Sequence, residues 1–289
     1  MGVLHQLLRE VWRTRAPAPA APSASPPPAV AAPPDPREVF PELEAHARAP
    51  LDLHVPVLFG DVRIGSRPFE DIMREAVEAT GLLVPPLKAI RRRQATLNLI
   101  RYFRHARTLP GRWAECGVFA GTTALALCLA ARAEDPAFDG RGLHLVDSFE
   151  GLSALREEDM RLTPRADGSS VATPPPQSRD NFAAPVEVAR RALGAFSAAQ
   201  LHKGWIPQVL DGLPEDRWSF VHVDVDLYEP TLACLEYFFP RMSPGGVIAC
   251  DDFGSAAFPG AKRAWMKFCD TAGLGYVVLP TGQSVLVKP

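Results

Sequence analysis

The chain has 289 residues, of which 47% are hydrophobic, and its formal net charge at pH 7 is −2. This length and composition fit one substantial globular core with an additional segment. The near-neutral charge gives no reason to expect nucleic acid as a partner, so any charged ligand must be recognised by a local site.

The N-terminal region carries neither a signal peptide nor a membrane-spanning run of about 20 apolar residues. Arg9, Glu10 and Arg13 interrupt its first apolar stretch. The five cysteines are widely spaced and form no CxxC pair, which is typical of reduced core thiols. We therefore expect a soluble, cytoplasmic protein without a membrane span.

Three segments precede the main body. Residues 1–15 have apolar residues at helical spacing and predict an amphipathic helix, which is either a frayed terminal helix, the preferred interpretation, or a docking arm for a partner subunit or a membrane surface. Residues 16–40 are rich in Ala and Pro and predict a flexible linker without a core. Residues 41–110 predict a largely helical cap region.

From residue 111 to residue 289, strand and helix patterns alternate. The predicted strands are RWAEC (112–116), GLHLVD (142–147), QLHKGW (200–205), WSFVHVDVD (218–226) and GGVIACDD (245–252). Helical stretches separate these strands, and the last 15 residues predict an antiparallel hairpin around Thr281 and Gly282. The pattern predicts an α/β fold with a mainly parallel sheet, helices on both faces, and ligands at the carboxyl ends of the strands.

The first predicted strand leads into a glycine-containing turn, AECGVFAGTTA, in which Glu115 precedes Gly117 and Gly121. Glycines allow a backbone to approach a ligand closely, although a tight turn alone would also explain them. The GxGxxG pattern is absent, and the Glu115 carboxylate disfavours a pyrophosphate. The turn therefore favours a nucleoside without phosphates, and Thr122 is expected to cap the following helix.

The second predicted strand ends in LVDSFEGL, with Asp147 as its last residue. Rossmann-like folds place an acidic residue here to accept hydrogen bonds from ribose hydroxyls. Together with the glycine turn, Asp147 indicates S-adenosylmethionine, because an acidic, glycine-lined pocket suits its sulfonium and ribose.

Four aspartates follow two later strands: Asp224 and Asp226 after one, Asp251 and Asp252 after the next. If these strands are neighbours, about 5 Å apart, their terminal carboxylates converge at one edge of the sheet. Convergent anions need a cation, and hard oxygen ligands favour Mg²⁺, or else Ca²⁺ or Mn²⁺, over zinc. The sequence therefore predicts a divalent cation site.

Some of the polar residues at this edge have alternative roles. Helix capping could account for Asp252 or Glu229, but it accounts for one or two acids better than for four. His222 alternates with Asp224 and could be raised as a metal ligand, yet its position inside the strand favours a core role.

Several ordered segments together resemble the macrocin O-methyltransferase family: AECGVFAGTTA, LVDSFEGLS, HKGWIPQVL, FVHVDVDLYEPTLACLEYFFPRMSPGGVIACDDFG and FPGAKRAW. The resemblance runs from about residue 95 to residue 289. It implies a Rossmann-like class I methyltransferase with a mainly parallel seven-stranded sheet and a C-terminal antiparallel hairpin. It also implies Mg²⁺- and S-adenosylmethionine-dependent methylation of sugar hydroxyls in macrolide and aminocoumarin natural products.

The resemblance assigns roles to individual residues. The implied metal ligands are Asp224, Asp251 and Asp252. Separately from the resemblance, the mechanism predicts Asp224 or Asp226 as the proton acceptor, with Asp224 favoured because the loop after the strand can turn Asp226 away. The cofactor site is expected to be lined by Glu115, Gly117, Val118, Gly121, Thr122, Asp147, Ser148 and Asp224, of which Asp147 and Ser148 meet the ribose.

Two regions depart from the family pattern. Residues 153–197 are Pro-rich at their start and predict either a lid that closes over the acceptor or a disordered surface insertion, so the acceptor can differ from those of the family. Residues 1–40 inherit nothing from the resemblance. A catechol acceptor, a nicotinamide-dependent oxidoreductase and a non-catalytic interaction protein remain the alternatives, and the oligomeric state, including a homo-oligomer, is open.

Overall fold

The computed structural model describes residue 59 and residues 61–82, 86–165, 168–176 and 179–289. The predicted N-terminal helix (1–15) and linker (16–40) lie outside the described residues, as does the beginning of the predicted cap region. Among the residues that the structure describes, no helix has the length and apolar character needed to cross a membrane.

After the second helix, the strands and helices of the described chain alternate only in part. In chain order the described elements are β1 (Arg63–Ile64), β2 (Arg67–Pro68), α1 (Phe69–Thr80), α2 (Pro86–Ala106), β3 (Arg112–Cys116), α3 (Thr122–Glu134), β4 (Leu143–Asp147), β5 (Arg161–Pro164), β6 (Ser170–Thr173), α4 (Val186–Ala192), β7 (Gln200–Lys203), β8 (Trp218–Val223), α5 (Tyr228–Phe238), β9 (Met242–Cys250), α6 (Pro259–Ala272), β10 (Val277–Val278) and β11 (Ser284–Val287). Among these elements, β4 to β6 and also β7 and β8 follow one another without an α-helix between them.

The central sheet has seven strands in the order β10-β11-β9-β8-β3-β4-β7. The five strands β9, β8, β3, β4 and β7 are parallel to one another, whereas β11 pairs antiparallel with both β9 and β10. The predicted α/β fold, the mainly parallel sheet and the antiparallel C-terminal hairpin are therefore confirmed. Strand β11 inserts between β9 and β10, an arrangement that the local pattern did not specify.

Helices cover both faces of this sheet, as predicted. Strand β8 is buried along its whole length, which agrees with its content of aromatic and β-branched residues. Phe220 packs in the apolar cluster formed with α1, α2 and α3, and the next residue, Val221, packs in the cluster formed with α5 and α6. Alternate residues of one strand thus contribute to two cores.

The segment predicted as an insertion contains regular structure in its described parts. Strands β5 and β6 form an antiparallel hairpin, with Arg161 opposite Thr173, and helix α4 follows them. The side chain of Leu162 in this hairpin is 70% exposed. The Pro-rich composition did not predict this hairpin.

The predicted capping role of Thr122 is wrong. Helix α3 begins at Thr122 and its N-cap is Gly121, with no side-chain cap. The Thr122 hydroxyl lies 2.9 Å from the Thr80 hydroxyl and forms a hydrogen bond with it. The hydroxyl therefore links α3 to the end of α1, a long-range contact that the sequence pattern could not indicate.

Candidate active site

A cavity of about 680 Å³ opens at the carboxyl ends of β3, β4, β8 and β9. This is the edge where ligands bind in open parallel sheets. All the predicted site residues except Gly121 line it: Glu115, Gly117, Val118, Thr122, Asp147, Ser148, Asp224, Asp226, Asp251 and Asp252. Gly121 instead faces α4, since a Cβ atom added there would lie 3.4 Å from Ala189.

The turn after β3 lies directly against the end of β8. Gly117 has a φ of +90°, and a Cβ atom at this position would lie 1.8 Å from the carbonyl oxygen of Asp224. The backbone N–H of Asp224 in turn donates to the carbonyl of Cys116 at 2.8 Å. Only glycine satisfies both the left-handed φ and the close approach, so the two halves of the candidate site are in backbone contact.

Asp147 holds the glycine turn in place. Its Oδ2 accepts hydrogen bonds from the backbone N–H groups of Val118 at 2.6 Å and Phe119 at 2.8 Å. Its Oδ1 accepts one from the N–H of Phe149 at 2.6 Å. The sequence predicted a ribose contact for Asp147, and the structure adds a role in ordering the turn around the cavity.

The aspartates after β8 and β9 converge because these strands are parallel neighbours. One carboxylate oxygen from each of Asp224, Asp251 and Asp252 lies within 4.8 Å of the other two. The backbone N–H of Asp251 donates to the carbonyl of Val223 at 3.0 Å, so the strand pairing continues into the acidic residues. We call Asp224, Asp251 and Asp252 the acid cluster.

Polar partners orient two members of the acid cluster. Gln283 Nε2 donates to Asp251 Oδ1 at 2.9 Å, and Arg91 Nη2 lies 3.8 Å from Asp251 Oδ2. Asp252 Oδ2 accepts a hydrogen bond from the backbone N–H of Asp226 at 3.1 Å. Sequence reasoning missed Arg91 and Gln283, because they come from α2 and the β10–β11 hairpin and belong to no local motif.

Burial and the repulsion between carboxylates raise pKa values in the acid cluster and at the neighbouring Asp226. Burial and the nearby Asp251 carboxylate raise the pKa of Asp224 to about 6. Burial and the neighbouring Asp224 carboxylate raise the pKa of Asp226 well above its usual range, and burial and Asp226 do the same for Asp252. Because a divalent cation would offset this repulsion, the residues present fit a hard metal ion.

Asp226 itself has an unusual backbone. Its φ is +61°, in the left-handed region, which is uncommon for residues other than glycine although aspartate adopts it more often than most. The Asp226 side chain is 8% exposed and lines the cavity. Such conformations persist only where the surroundings impose them, and they are concentrated at functional sites.

His222 is a buried partner of Glu115, which agrees with its predicted core role. His222 Nδ1 lies 3.1 Å from Glu115 Oε1, and the two side chains are 1% and 2% exposed. Burial lowers the pKa of His222, but the hydrogen bond and charge of Glu115 outweigh this effect and raise it to about 9. Glu115 Oε2 is buried without a hydrogen-bond partner among the described residues.

The macrocin-O-methyltransferase (TylF) family model matches residues 89–278. The chain therefore belongs to the macrocin-O-methyltransferase family.

Two curated relatives illustrate the relationship. The chain is similar to the 8-demethyl-8-(2,3-dimethoxy-alpha-L-rhamnosyl)-tetracenomycin-C 4'-O-methyltransferase of Streptomyces olivaceus, with 32% identity over 151 residues, which cover 50% of this chain and 54% of that protein. It is also similar to the mycinamicin III 3''-O-methyltransferase of Micromonospora griseorubida, with 26% identity over 174 residues, 57% of this chain and 63% of that protein. The match thus spans about half the length of the first relative.

Two solved structures share the fold. The calicheamicin methyltransferase CalS11 has a TM-score of 0.55 and 22% identity, covering 78% of this chain and 94% of that chain. The O-methyltransferase NovP also has a TM-score of 0.55 and 22% identity, covering 82% of this chain and 97% of that chain. At 22% identity, these two comparisons support a shared fold and nothing more specific.

Proposed function

We propose that the protein is a divalent-cation-dependent O-methyltransferase that moves a methyl group from S-adenosylmethionine to a hydroxyl of a sugar or glycosylated natural product. The observation that carries the proposal is the acid cluster, whose oxygens lie within 4.8 Å of one another in the same cavity as the glycine turn. Membership of the macrocin-O-methyltransferase family and a relative named for methylating a rhamnosyl compound support it.

The residues around the glycine turn suit a cationic nucleoside. Glu115 Oε2 is a buried acceptor without a partner among the described residues, and Glu115 lines the cavity. A buried acceptor of this kind is costly unless a donor or a positive charge meets it. The ammonium and sulfonium groups of S-adenosylmethionine supply positive charge, and Ser148 and Asp147 border the same cavity for the ribose.

Asp224, Asp251 and Asp252 would hold the cation, with Arg91 and Gln283 fixing the orientation of Asp251. When bound, a divalent cation lowers the pKa of an acceptor hydroxyl and orients it, while S-adenosylmethionine supplies the methyl group. The chain's part in the reaction is then to place the acceptor in line with the methyl group and to take up its proton.

Asp224 and Asp226 are the two candidates for proton acceptor. The sequence favours Asp224, but a carboxylate committed to a cation is a weaker base, and the Asp226 side chain is not a member of the acid cluster. Asp226 also has the left-handed backbone that a functional constraint would explain. We therefore favour Asp226 as the proton acceptor. Asp226→Asn should slow methyl transfer while leaving the affinity for the cation close to that of the wild type.

An apolar wall lies beside the acids. Leu152, Leu227 and Phe258 form a small buried cluster against which Phe182 packs, and the Phe182 and Phe258 rings meet edge to face with centroids 5.5 Å apart. This wall excludes water from the acceptor side and strengthens the electrostatic interactions in the cavity. We propose that the described parts of residues 153–197, which we call the covering segment, act as a lid through this contact.

The aromatic pair also favours a second acceptor class. A catechol presents the same vicinal oxygens as a sugar diol, and its ring could pack against Phe182 or Phe258. A panel that compares glycosylated natural products, free sugars and catechols by methyl transfer distinguishes the two acceptor classes. A preference for catechols would replace the sugar assignment while leaving the cation site intact.

The proposal is tested by Asp251→Ala and by chelation. Asp251→Ala should reduce methyl transfer by at least about 100-fold and leave S-adenosylhomocysteine binding largely intact, and a chelator should reproduce this loss in the wild type. Asp270→Ala on the exposed side of α6 is the matched control and should remain active. Full activity of the chelated wild-type enzyme would exclude the metal-dependent mechanism.

A further inference from the structure

Asp159 is a buried carboxylate outside the acid cluster. It lies in a short turn before β5, and it is 1% exposed. Its Oδ2 accepts a hydrogen bond from the backbone N–H of Arg156 at 2.8 Å, and its Oδ1 accepts one from the backbone N–H of Tyr228 at 2.7 Å. One side chain thus joins the covering segment to the start of helix α5, 69 residues later in the chain.

Helix α5 begins without a cap of its own. Its N-cap residue is Leu227, which makes no side-chain cap hydrogen bond. The first N–H groups of a helix have no partner within the helix and carry partial positive charge, so a carboxylate is favourable there. Asp159 therefore serves as a remote cap, supplied by a different part of the chain.

The left-handed turn at Asp226 lies immediately before the start of α5 that Asp159 caps. Two carboxylates hold backbone N–H groups on either side of Leu227: Asp252 holds that of Asp226 at 3.1 Å, and Asp159 holds that of Tyr228. The Leu227 side chain is buried against Leu152 and Phe258. A strained turn persists only when its surroundings over-determine it, and Asp159 is one of the groups that do so.

Further contacts clamp the Asp159 turn to the body of the protein. Arg156 pairs with Glu229 in the first turn of α5, with Nε 3.1 Å from Oε2. Arg263 of α6 donates to the backbone carbonyls of Glu158 and Met160. The packing around Asp159 is tight, because a Cβ atom added at Gly260 would lie 1.9 Å from Asp159 Oδ1.

We propose that Asp159 is a positioning residue for methyl transfer: by capping α5 from the covering segment, it fixes the backbone turn that carries Asp226 and couples the order of that segment to the order of the turn. This inference rests on the proposed function for its catalytic consequence. The coupling itself rests on the hydrogen bonds of Asp159 and does not require a substrate.

Two substitutions disturb this contact in different ways. Asp159→Asn keeps the shape but can accept only one of the two N–H groups, because its amide nitrogen is a donor. Gly260→Ala keeps the Asp159 carboxylate but adds a Cβ atom 1.9 Å from Asp159 Oδ1 and 2.8 Å from the backbone nitrogen of Tyr228, so it forces apart the two partners of this hydrogen bond. Alanine is normally a better helix former than glycine, so faster exchange or lower activity in Gly260→Ala cannot come from helix propensity.

Each substitution has a matched control. Asp216→Asn removes a carboxylate that accepts hydrogen bonds from the Arg217 backbone N–H and from Arg112, near the opposite end of the sheet. Gly212→Ala adds a Cβ atom with nothing within 4 Å. Neither control residue lines the cavity.

The first measurement is hydrogen exchange of the peptide covering residues 224–229 in the full chain without ligand. Asp159→Asn and Gly260→Ala should increase amide exchange there at least about tenfold, and the two controls should exchange as the wild type does. The second measurement is steady-state methyl transfer. The kcat value should fall by about 10- to 100-fold in the two test variants, with the KM for S-adenosylmethionine unchanged.

Wild-type exchange in Asp159→Asn and Gly260→Ala would overturn the proposed coupling. Faster exchange with unchanged kcat would overturn the positioning role. If the wild type neither binds S-adenosylhomocysteine nor transfers a methyl group, the proposed function fails instead, and the exchange measurement still decides whether Asp159 orders the turn.

Discussion

Gly117→Ala tests whether the glycine turn and the acid cluster form one unit. Gly117 and Gly121 have nearly the same backbone, with φ values of +90° and +88°. They differ in what a side chain would meet: a Cβ atom at Gly117 would lie 1.8 Å from the carbonyl oxygen of Asp224, whereas at Gly121 the nearest atom is 3.4 Å away. Gly121→Ala is therefore a control for backbone strain alone.

The expected loss of stability in each variant follows from this difference. A left-handed φ costs an alanine about 1–2 kcal/mol, and both variants incur this cost. Since Cβ contacts under 3.0 Å essentially never occur, the Asp224 carbonyl must also move by at least 1.2 Å in Gly117→Ala, the difference between 3.0 and 1.8 Å. Overpacking of this kind adds about 1–3 kcal/mol, so we expect total losses of about 2–5 kcal/mol for Gly117→Ala and about 1–2 kcal/mol for Gly121→Ala.

Chemical denaturation measures the stability difference, and calorimetric titration with MnCl₂ and S-adenosylhomocysteine measures binding. Because the added Cβ atom displaces the Asp224 backbone, Gly117→Ala should weaken the binding of both ligands by more than about tenfold, which corresponds to about 1.4 kcal/mol. Gly121→Ala should keep the manganese affinity of the wild type. Equal stability of the two variants, or wild-type manganese binding by Gly117→Ala, would show that the turn and the cluster are not coupled.

Three further predictions concern the buried polar groups. Burial, assisted by His202 and Arg112, lowers the pKa of His144 from 6.5 to about 4. Because the unfolded chain then binds the proton more readily, the free energy of unfolding measured with denaturant should fall by roughly 1–2 kcal/mol between pH 6.5 and pH 4, and by less in His144→Gln. Glu115→Gln should lower the free energy of unfolding in urea by about 3 kcal/mol, because it leaves His222 buried without its charge partner. The same substitution should cost less in a His222→Gln background. The five buried free cysteines should resist a thiol reagent in the folded protein and react after unfolding.

The architecture was predictable from the sequence because its determinants are local. Strand β3 has the predicted bounds, Arg112–Cys116, because Gly111 and Gly117 on either side of it delimit the run. The acidic residues then converge by a general rule: parallel neighbours end at one edge of a sheet. Asp224 and Asp251 could therefore be paired from the sequence once β8 and β9 were taken as adjacent strands.

The polar contacts that tune the site were not predictable, because their partners are far apart in the chain. His222 and Glu115 are separated by 107 residues, and Gln283 and Asp251 by 32. Sequence spacing marks where a strand ends but not which side chain from another element meets it. The same reason accounts for the error at Thr122, whose hydroxyl finds Thr80 in α1 and does not cap its own helix.

Asp147, Asp252 and Asp159 share a feature that links these observations. Each uses its carboxylate to hold backbone N–H groups of a loop that borders the cavity or leads into it: Asp147 holds the glycine turn, Asp252 holds the turn at Asp226, and Asp159 holds the start of α5. Such hydrogen bonds are stronger when the carboxylate is ionised than when it is neutral. Asp252 also belongs to the acid cluster, whereas Asp147 and Asp159 order the backbone from outside it, so substitutions of these two should change kcat without removing the cation site.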